Sequence, residues 1–280
     1  MTGSDLPNGG EGGDNLASPP FASLPMYDWP EIREPTDALW NAVRFQLEKR
    51  GIKAPAALER DLDIESQWTA PGLVLSQTCG FPYANFLASR VTLIGTPSYA
   101  LTGATAGHYH SVLIARKSEA PASLAELRDR RMAFNMSHSQ SGFAAPIRLL
   151  SANKVVCEAT PVETGAHRAS VQAVANGQAD WAAVDAVAWE LARRHEPAAR
   201  ALEAFGRTPQ TPGLPLIASG GMAGRAEAVT DAVDAAIRTL DPAVAKALNL
   251  TGFVRSEPKD YAPLAATLPI AETLPALATR

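Results

Sequence analysis

Cysteine is scarce in this chain: Cys79 and Cys157 are the two among 280 residues, far apart and outside any CxxC pair. That excludes a disulfide framework and a thiolate metal centre of the usual spacing. Lys and Arg number 25 against 29 Asp and Glu, for a formal charge of −4, and they nowhere form a basic cluster. Neither a nucleic acid nor an anionic membrane surface is therefore an expected partner. No stretch approaches the roughly 18 consecutive apolar residues of a membrane helix, so membrane insertion is not expected. The first 25 residues contain neither a basic n-region nor an apolar h-region. Read alone they are no secretory signal but a Gly- and Pro-rich lead, expected to be disordered over residues 1–22, and they fit a cytoplasmic address.

What is present is ordinary for a globular protein, with 46% hydrophobic and 19% charged residues. Compact apolar runs bounded by Pro and Gly predict strands over residues 23–27, 73–76, 91–94, 111–115, 132–135, 155–157, 181–184 and 214–218. Helical spacing appears between them. Leu39, Trp40, Val43 and Leu47 mark one helix, capped by Thr36 or Asp37 and ended by Gly51. Others are predicted over 144–152, 169–176, 187–195 and 226–240, the last carrying Val229, Val233, Ile237 and Leu240. Strands alternating with helices predict an α/β fold. The central stretch reads as a unit inserted into another, giving a first lobe over 23–113 and 209–265, a second lobe over 114–208, and a Pro/Ala/Leu tail over 266–280. Ligands collect at the carboxyl ends of strands in such sheets, here in a cleft between lobes.

The richest loop is Asn135-Met136-Ser137-His138-Ser139-Gln140-Ser141-Gly142, which sets three hydroxyls and a glycine between a strand and a helix. The first N–H groups of a helix lack internal partners and sit at the positive end of its dipole. Ser137, Ser139, Ser141 and Gly142 can therefore join them around phosphate, phosphonate or carboxylate. A serine there can equally be a simple cap, and both readings remain open at this level. Three further loops follow strands. Tyr27-Asp28 offers a phenol, and Tyr83 and Tyr109 are less favoured sources of one. Gln77-Thr78-Cys79-Gly80 supplies the Thr78 hydroxyl or is only a turn before Pro82. Asp185 either caps the helix after it or faces the ligand, where a carboxylate would select a protonated phosphate or an ammonium-bearing phosphonate. His167, at a helix start, can donate to an oxyanion from the facing side, and His138 and Arg168 share that capacity.

These residues together resemble the solute-binding proteins of phosphate, phosphite and phosphonate ABC transporters, of the type II periplasmic binding protein fold. The resemblance covers most of residues 24–264. It is carried by Tyr27-Asp28-Trp29, by Ser139-Gln140-Ser141-Gly142, and above all by the run from Gly165 through His167 and Asn176-Gly177 to Asp180. It implies a two-lobed fold that captures a small oxyanion without bond-making, and a periplasmic address. It further implies Ser139, Ser141 and Gly142 on the phosphoryl oxygens, Tyr27 as a phenol donor, His167 across the cleft and Asp185 as an acidic contact. The expected partners are the ligand and an ABC-transporter permease; the protein is expected to be a monomer without a cofactor. The rival expectation is a cytoplasmic enzyme on the same fold, with Cys79 as nucleophile, His167 or His138 as base and Asp185 orienting it. Aromatic residues such as Tyr27, Trp29 or Trp68 on the cleft wall would point to an organic substituent, and walls of hydroxyls alone to inorganic phosphate.

Overall fold

A computed structural model describes residues 19–278. Its strands are β1 (Phe21–Ala22), β2 (Leu73–Gln77), β3 (Val91–Tyr99), β4 (His108–Tyr109), β5 (Ser111–Arg116), β6 (Met132–Phe134), β7 (Val162–Glu163), β8 (Trp181–Asp185), β9 (Leu202–Arg207), β10 (Thr211–Pro212), β11 (Leu216–Ser219) and β12 (Leu250–Val254). The helices that shape the cleft and the two cores are α1 (Arg33–Glu48), α2 (Ile64–Trp68), α3 (Ala145–Ala152), α4 (His167–Ala175), α5 (Ala186–His195) and α6 (Ala226–Arg238).

Two five-stranded mixed sheets result, one per lobe. The first runs β1-β2-β11-β3-β12 and the second β7-β6-β8-β5-β9. In β8 every residue is buried, as a central strand covered on both faces requires. Its pleat sends Trp181 and Ala183 into one core, with Phe134, Phe143 and Ile147, and Ala182 and Val184 into another, with Ile114, Val171 and Val174. The first sheet is covered likewise. Trp40, Val43 and Leu47 of α1 pack with Val229 and Val233 of α6 on one face, while Trp68, Tyr83 and Tyr261 fill the other. The lobes are joined by an antiparallel ribbon in which Thr211 and Pro212 of β10 pair with Tyr109 and His108 of β4.

Several expectations shift. The first strand is Phe21–Ala22, paired in parallel with β2, so the expected disordered lead does not extend to residue 22; its first 18 residues lie outside the described part. Tyr27 consequently sits in a turn after the strand rather than ending one. The lobe boundary expected after residue 113 would cut β5, because Ser111 already pairs with Asp185 of the second sheet. Residues 155–157 form no strand; Cys157 N–H instead donates to Thr273 O at 2.8 Å. Thr36 does not cap α1 but lies inside it, its hydroxyl donating to Ile32 O.

The C-terminal segment is the largest difference. Residues 266–278 are no loose tail: they leave the first lobe and lie on the second. Leu274 is fully buried in the core of Phe143, Ile147 and Leu150, with Leu268, Ile270 and Leu277 beside it. Arg148 of α3 holds the crossing by donating to Leu264 O and Ala266 O. Apolar residues spaced along a strap lack the periodicity of a long helix, which is why the pattern was mute. Leu274→Ala should cost about 2–5 kcal/mol of stability by urea denaturation. A loss within about 0.5 kcal/mol, the range of ordinary surface substitutions, would show that the strap carries no core packing.

Candidate functional site

Residues from both lobes enclose a cavity of about 350 Å³ at the ends of these strands. The first lobe contributes Met26, Tyr27, Trp29, Ile64, Trp68 and Cys79; the second contributes Asn135, Met136, Ser139, Ser141, His167 and Asp185. Five of the eight residues singled out from the sequence thus converge: Tyr27, Ser139, Ser141, His167 and Asp185. The other three fall elsewhere. Ser137 is exposed at the loop tip, beyond the cavity wall. Thr78 is fully buried behind Cys79. Gly142 lies one residue deeper, where a Cβ would collide with Asn135 Oδ1 and press on the His167 ring. Glycine is required there because the neighbouring side chains occupy the space, whatever the backbone conformation.

The serine loop enters a five-residue π-helical turn, Gln140–Ala144, that runs directly into α3. Ser139 is the N-cap: its Oγ accepts from Gly142 N–H at 3.0 Å. The capping reading is therefore correct for Ser139, which still lines the cavity. Ser141 is anchored on its main chain, since Ser111 Oγ donates to its carbonyl at 2.7 Å. Its own hydroxyl lies 2.9 Å from His167 Nε2. The His167 ring is open to the cavity on one side and hemmed by protein elsewhere, and that desolvation lowers its pKa to about 4. It is a neutral ring near pH 7, able to donate from one nitrogen and accept at the other.

Opposite stands Tyr27, whose phenol donates to Asp185 Oδ2 at 2.8 Å. Asp185 ends β8 and caps α5, its Oδ1 accepting from Val187 N–H and Ala188 N–H. Burial raises its pKa to about 6 against the pull of those hydrogen bonds. Tyr27 packs edge-on against Tyr99 at 5.3 Å between centroids, and burial, then the Asp185 charge, pushes its phenol well above the ordinary value. Tyr109, on the hinge ribbon, is pushed up by burial and by neighbouring Cys79 and Asp185. Tyr83 belongs to the first lobe's core, packed edge-on against Tyr261, and lies outside the cavity wall.

Buried polar atoms without partners are costly and uncommon. Among the described residues seven side-chain atoms are in that position, and two of them, Asn135 Oδ1 and His167 Nδ1, belong to residues that line the cavity. Arg168, the guanidinium on the wall, is already spent: it makes a two-pronged ion pair with Glu31, a bond from Nε to Glu196, and lies 4.8 Å from the Trp29 ring centroid. The free donors on the cavity wall among Tyr27, Ser139, Ser141 and His167 are therefore neutral ones. No cluster of His, Cys, Asp and Glu suited to a metal occurs among the described residues.

The Cys79 enzyme reading fails on the same geometry. Burial raises the thiol's pKa, the reverse of what an attacking thiolate needs. Its sulfur accepts from Gln140 N–H at 3.2 Å, His167 is turned to Ser141, and His138 faces Glu65 at 3.3 Å.

Of α2, sequence reasoning named only Trp68 as a cleft-wall aromatic, and it does line the cavity; Ile64 and Glu65 carry no motif, and only their position beside the serine loop makes them cleft residues. Glu31 was missed too, for a surface carboxylate shows its partner only when the lobes meet.

A family model described as the periplasmic substrate-binding protein of ABC phosphonate transporters matches residues 75–261. No curated protein is similar enough in sequence to match. Among solved structures, PhnD1 from Prochlorococcus marinus in complex with methylphosphonate is 18% identical, with a TM-score of 0.65 over 87% of this chain and 95% of that one. A binding protein component of an ABC phosphonate transporter from Pseudomonas aeruginosa gives 0.67 at 18% identity, over 88% and 84%. XAC2383 from Xanthomonas citri bound to ATP gives 0.65 at 18% identity, over 89% and 96%. These likenesses bear on the fold, which is that of the periplasmic binding proteins. No helix among the described residues is long and apolar enough to cross a membrane.

The buried Asp185 carboxyl sets a pH signature. Its pKa is higher folded (about 6) than in an open chain (3.8), so its contribution to stability is complete below pH 3.8 and is lost as pH rises through 6. Asp185→Asn has no such dependence. Thermal or urea unfolding should show the wild type gaining on the variant by up to about 3 kcal/mol between pH 7 and pH 4; a constant difference would refute a raised pKa.

Proposed function

The chain belongs to the family of periplasmic substrate-binding proteins of ABC phosphonate transporters, and on that premise we propose that it captures a phosphonate bearing an organic substituent between its two lobes. The family is one of binding proteins, and capture involves no bond-making. The observation that carries the reading is the meeting of Tyr27 from one lobe with Ser139, Ser141, His167 and Asp185 from the other around one cavity. The hydrogen-bonded Ser141–His167 pair leaves one donor for a phosphoryl oxygen, the Ser141 hydroxyl when His167 Nε2–H donates to it, the helix opening behind Ser139 adds its positive end, and Tyr27 approaches from the opposite lobe.

Two features favour an organophosphonate over inorganic phosphate. Met26, Trp29, Ile64 and Trp68 make much of the wall apolar, and an ion clothed only in oxygens gains nothing from them. The cavity is also large: at roughly 30 Å³ per water in the liquid, about 350 Å³ holds about a dozen waters, against five heavy atoms in methylphosphonate. Asp185, ionised above pH 6, disfavours a second negative charge beside it and favours an ammonium on the substituent. The compounds named for the neighbours, methylphosphonate and ATP, share the phosphoryl group. Family membership supports work beside a transporter permease in the periplasm.

Calorimetric titration at pH 7 tests this. Methylphosphonate and 2-aminoethylphosphonate should bind, phosphate and phosphite more weakly, and Ser141→Ala should weaken methylphosphonate by about tenfold, the equivalent of about 1.4 kcal/mol for one hydrogen bond to a charged group. Absence of heat with every phosphonate, or an unaltered affinity in Ser141→Ala, would overturn the proposal.

A further inference from the structure

A second groove, of about 300 Å³, lies against the outer side of α2 and is lined by Pro82, Phe86, Leu87 and Arg90 as well as Glu65, Trp68 and His138. The last three also line the main cavity. The two spaces therefore share one wall, the buried Trp68 indole, which is pinned by donation of its Nε1–H to Gln77 O at 3.2 Å. Both are also bordered by one bridge, where His138 Nε2 from the second lobe meets Glu65 Oε1 from the first at 3.3 Å. Beyond the bridge Phe86 stands 58% exposed, the most exposed large hydrophobic side chain among the described residues. It is held edge-on by Phe81 at 6.2 Å between centroids. An exposed phenyl alone needs no explanation, but one continuing the apolar wall of a ligand cavity does.

Resting on the phosphonate reading above, we propose that this groove is an extension of the ligand site that takes the distal part of a long apolar substituent, so that the preferred ligand class is long-chain or aryl-bearing phosphonates. The polar head is held at the Ser141–His167 end. The substituent runs along Trp68, passes beneath the Glu65–His138 contact, and lies on Phe86 and Leu87. Continuity of the two walls is what commits the groove to the ligand rather than to a separate partner. The Glu65–His138 contact closes over the chain from the solvent side, which lets a ligand longer than the main cavity be held without forcing the lobes apart.

The test is a titration series of methyl-, butyl- and octylphosphonate, below micelle-forming concentrations, against the wild type and Phe86→Ser. Phe86 is exposed, so that change spares the core. Each methylene that reaches the wall should tighten binding by up to about fourfold, and the gain should continue from butyl to octyl in the wild type. In Phe86→Ser octylphosphonate should weaken at least fivefold (roughly the loss of one or two such methylene contacts) while methylphosphonate stays within about twofold. A gain that stops at butyl confines the substituent to the main cavity and overturns the extension, with the phosphonate reading intact. An octylphosphonate affinity unaltered by Phe86→Ser overturns it as well and leaves the patch as a face for a macromolecular partner. No binding by any member removes both proposals together.

Discussion

The hydrogen bond from Tyr27 to Asp185 joins the two halves of the molecule at the point where a ligand would sit. Its acceptor is fixed twice over, by ending β8 and by capping α5. A carboxylate so placed organises three things with two oxygens: the start of a helix, the phenol from the opposite lobe, and the electrostatic character of the cavity floor. Burial makes its charge expensive, and the hydrogen bonds offset only part of that expense, since its pKa remains raised at about 6. The lobe interface is thus organised around a group that is least comfortable in the ionised form it takes at neutral pH. Strain of this kind is expected at a binding site, where the fold is not at its own optimum.

Neutrality of the donors follows from the same arrangement. A free guanidinium in the cavity would pair with Asp185 and fill the space. The one guanidinium on the wall is instead drawn outward by Glu31 and Glu196, leaving hydroxyls, an imidazole kept unprotonated by desolvation and a helix start for the proposed ligand. Hydroxyls and neutral rings discriminate by geometry, because each donates along a fixed direction, whereas a point charge attracts any anion.

Much of this was legible in the residues. The alternation of apolar runs located β2, β5, β8 and α6 closely, because central strands and an amphipathic helix impose strict periods. The serine loop and His167 stood out because hydroxyls before a helix have a physical purpose. The failures share a cause. Thr78, in a loop that can line a cleft, faces inward, and Ser137, two residues from a cavity-lining serine, faces solvent; no local pattern distinguishes them. The strand β1, the hinge ribbon and the strap around Leu274 depend on contacts distant in sequence, and two-residue strands carry too few side chains for periodicity. Glycine at position 142 was read as a contact for an oxyanion, whereas the crowding of Asn135 and His167 around it is revealed only by the assembled site.

Closure of the lobes can be weighed from the contacts that cross between them. Arg168–Glu31 and His138–Glu65 are partly exposed pairs, and such pairs contribute about 0–1 kcal/mol each. Stacking of Arg168 on Trp29 adds roughly 0.5–1 kcal/mol for an exposed cation–π contact. Against them stand the rotamer entropy of long side chains and the desolvation of Asp185. The strap and the hinge ribbon hold the halves together in either arrangement, so neither favours the closed form by connectivity alone. These exposed pairs add little to the buried Tyr27–Asp185 hydrogen bond and the Gln140 N–H to Cys79 Sγ contact that also cross between the lobes. A ligand touching both Tyr27 and Ser141 shifts the population toward closure only by its differential affinity for that state.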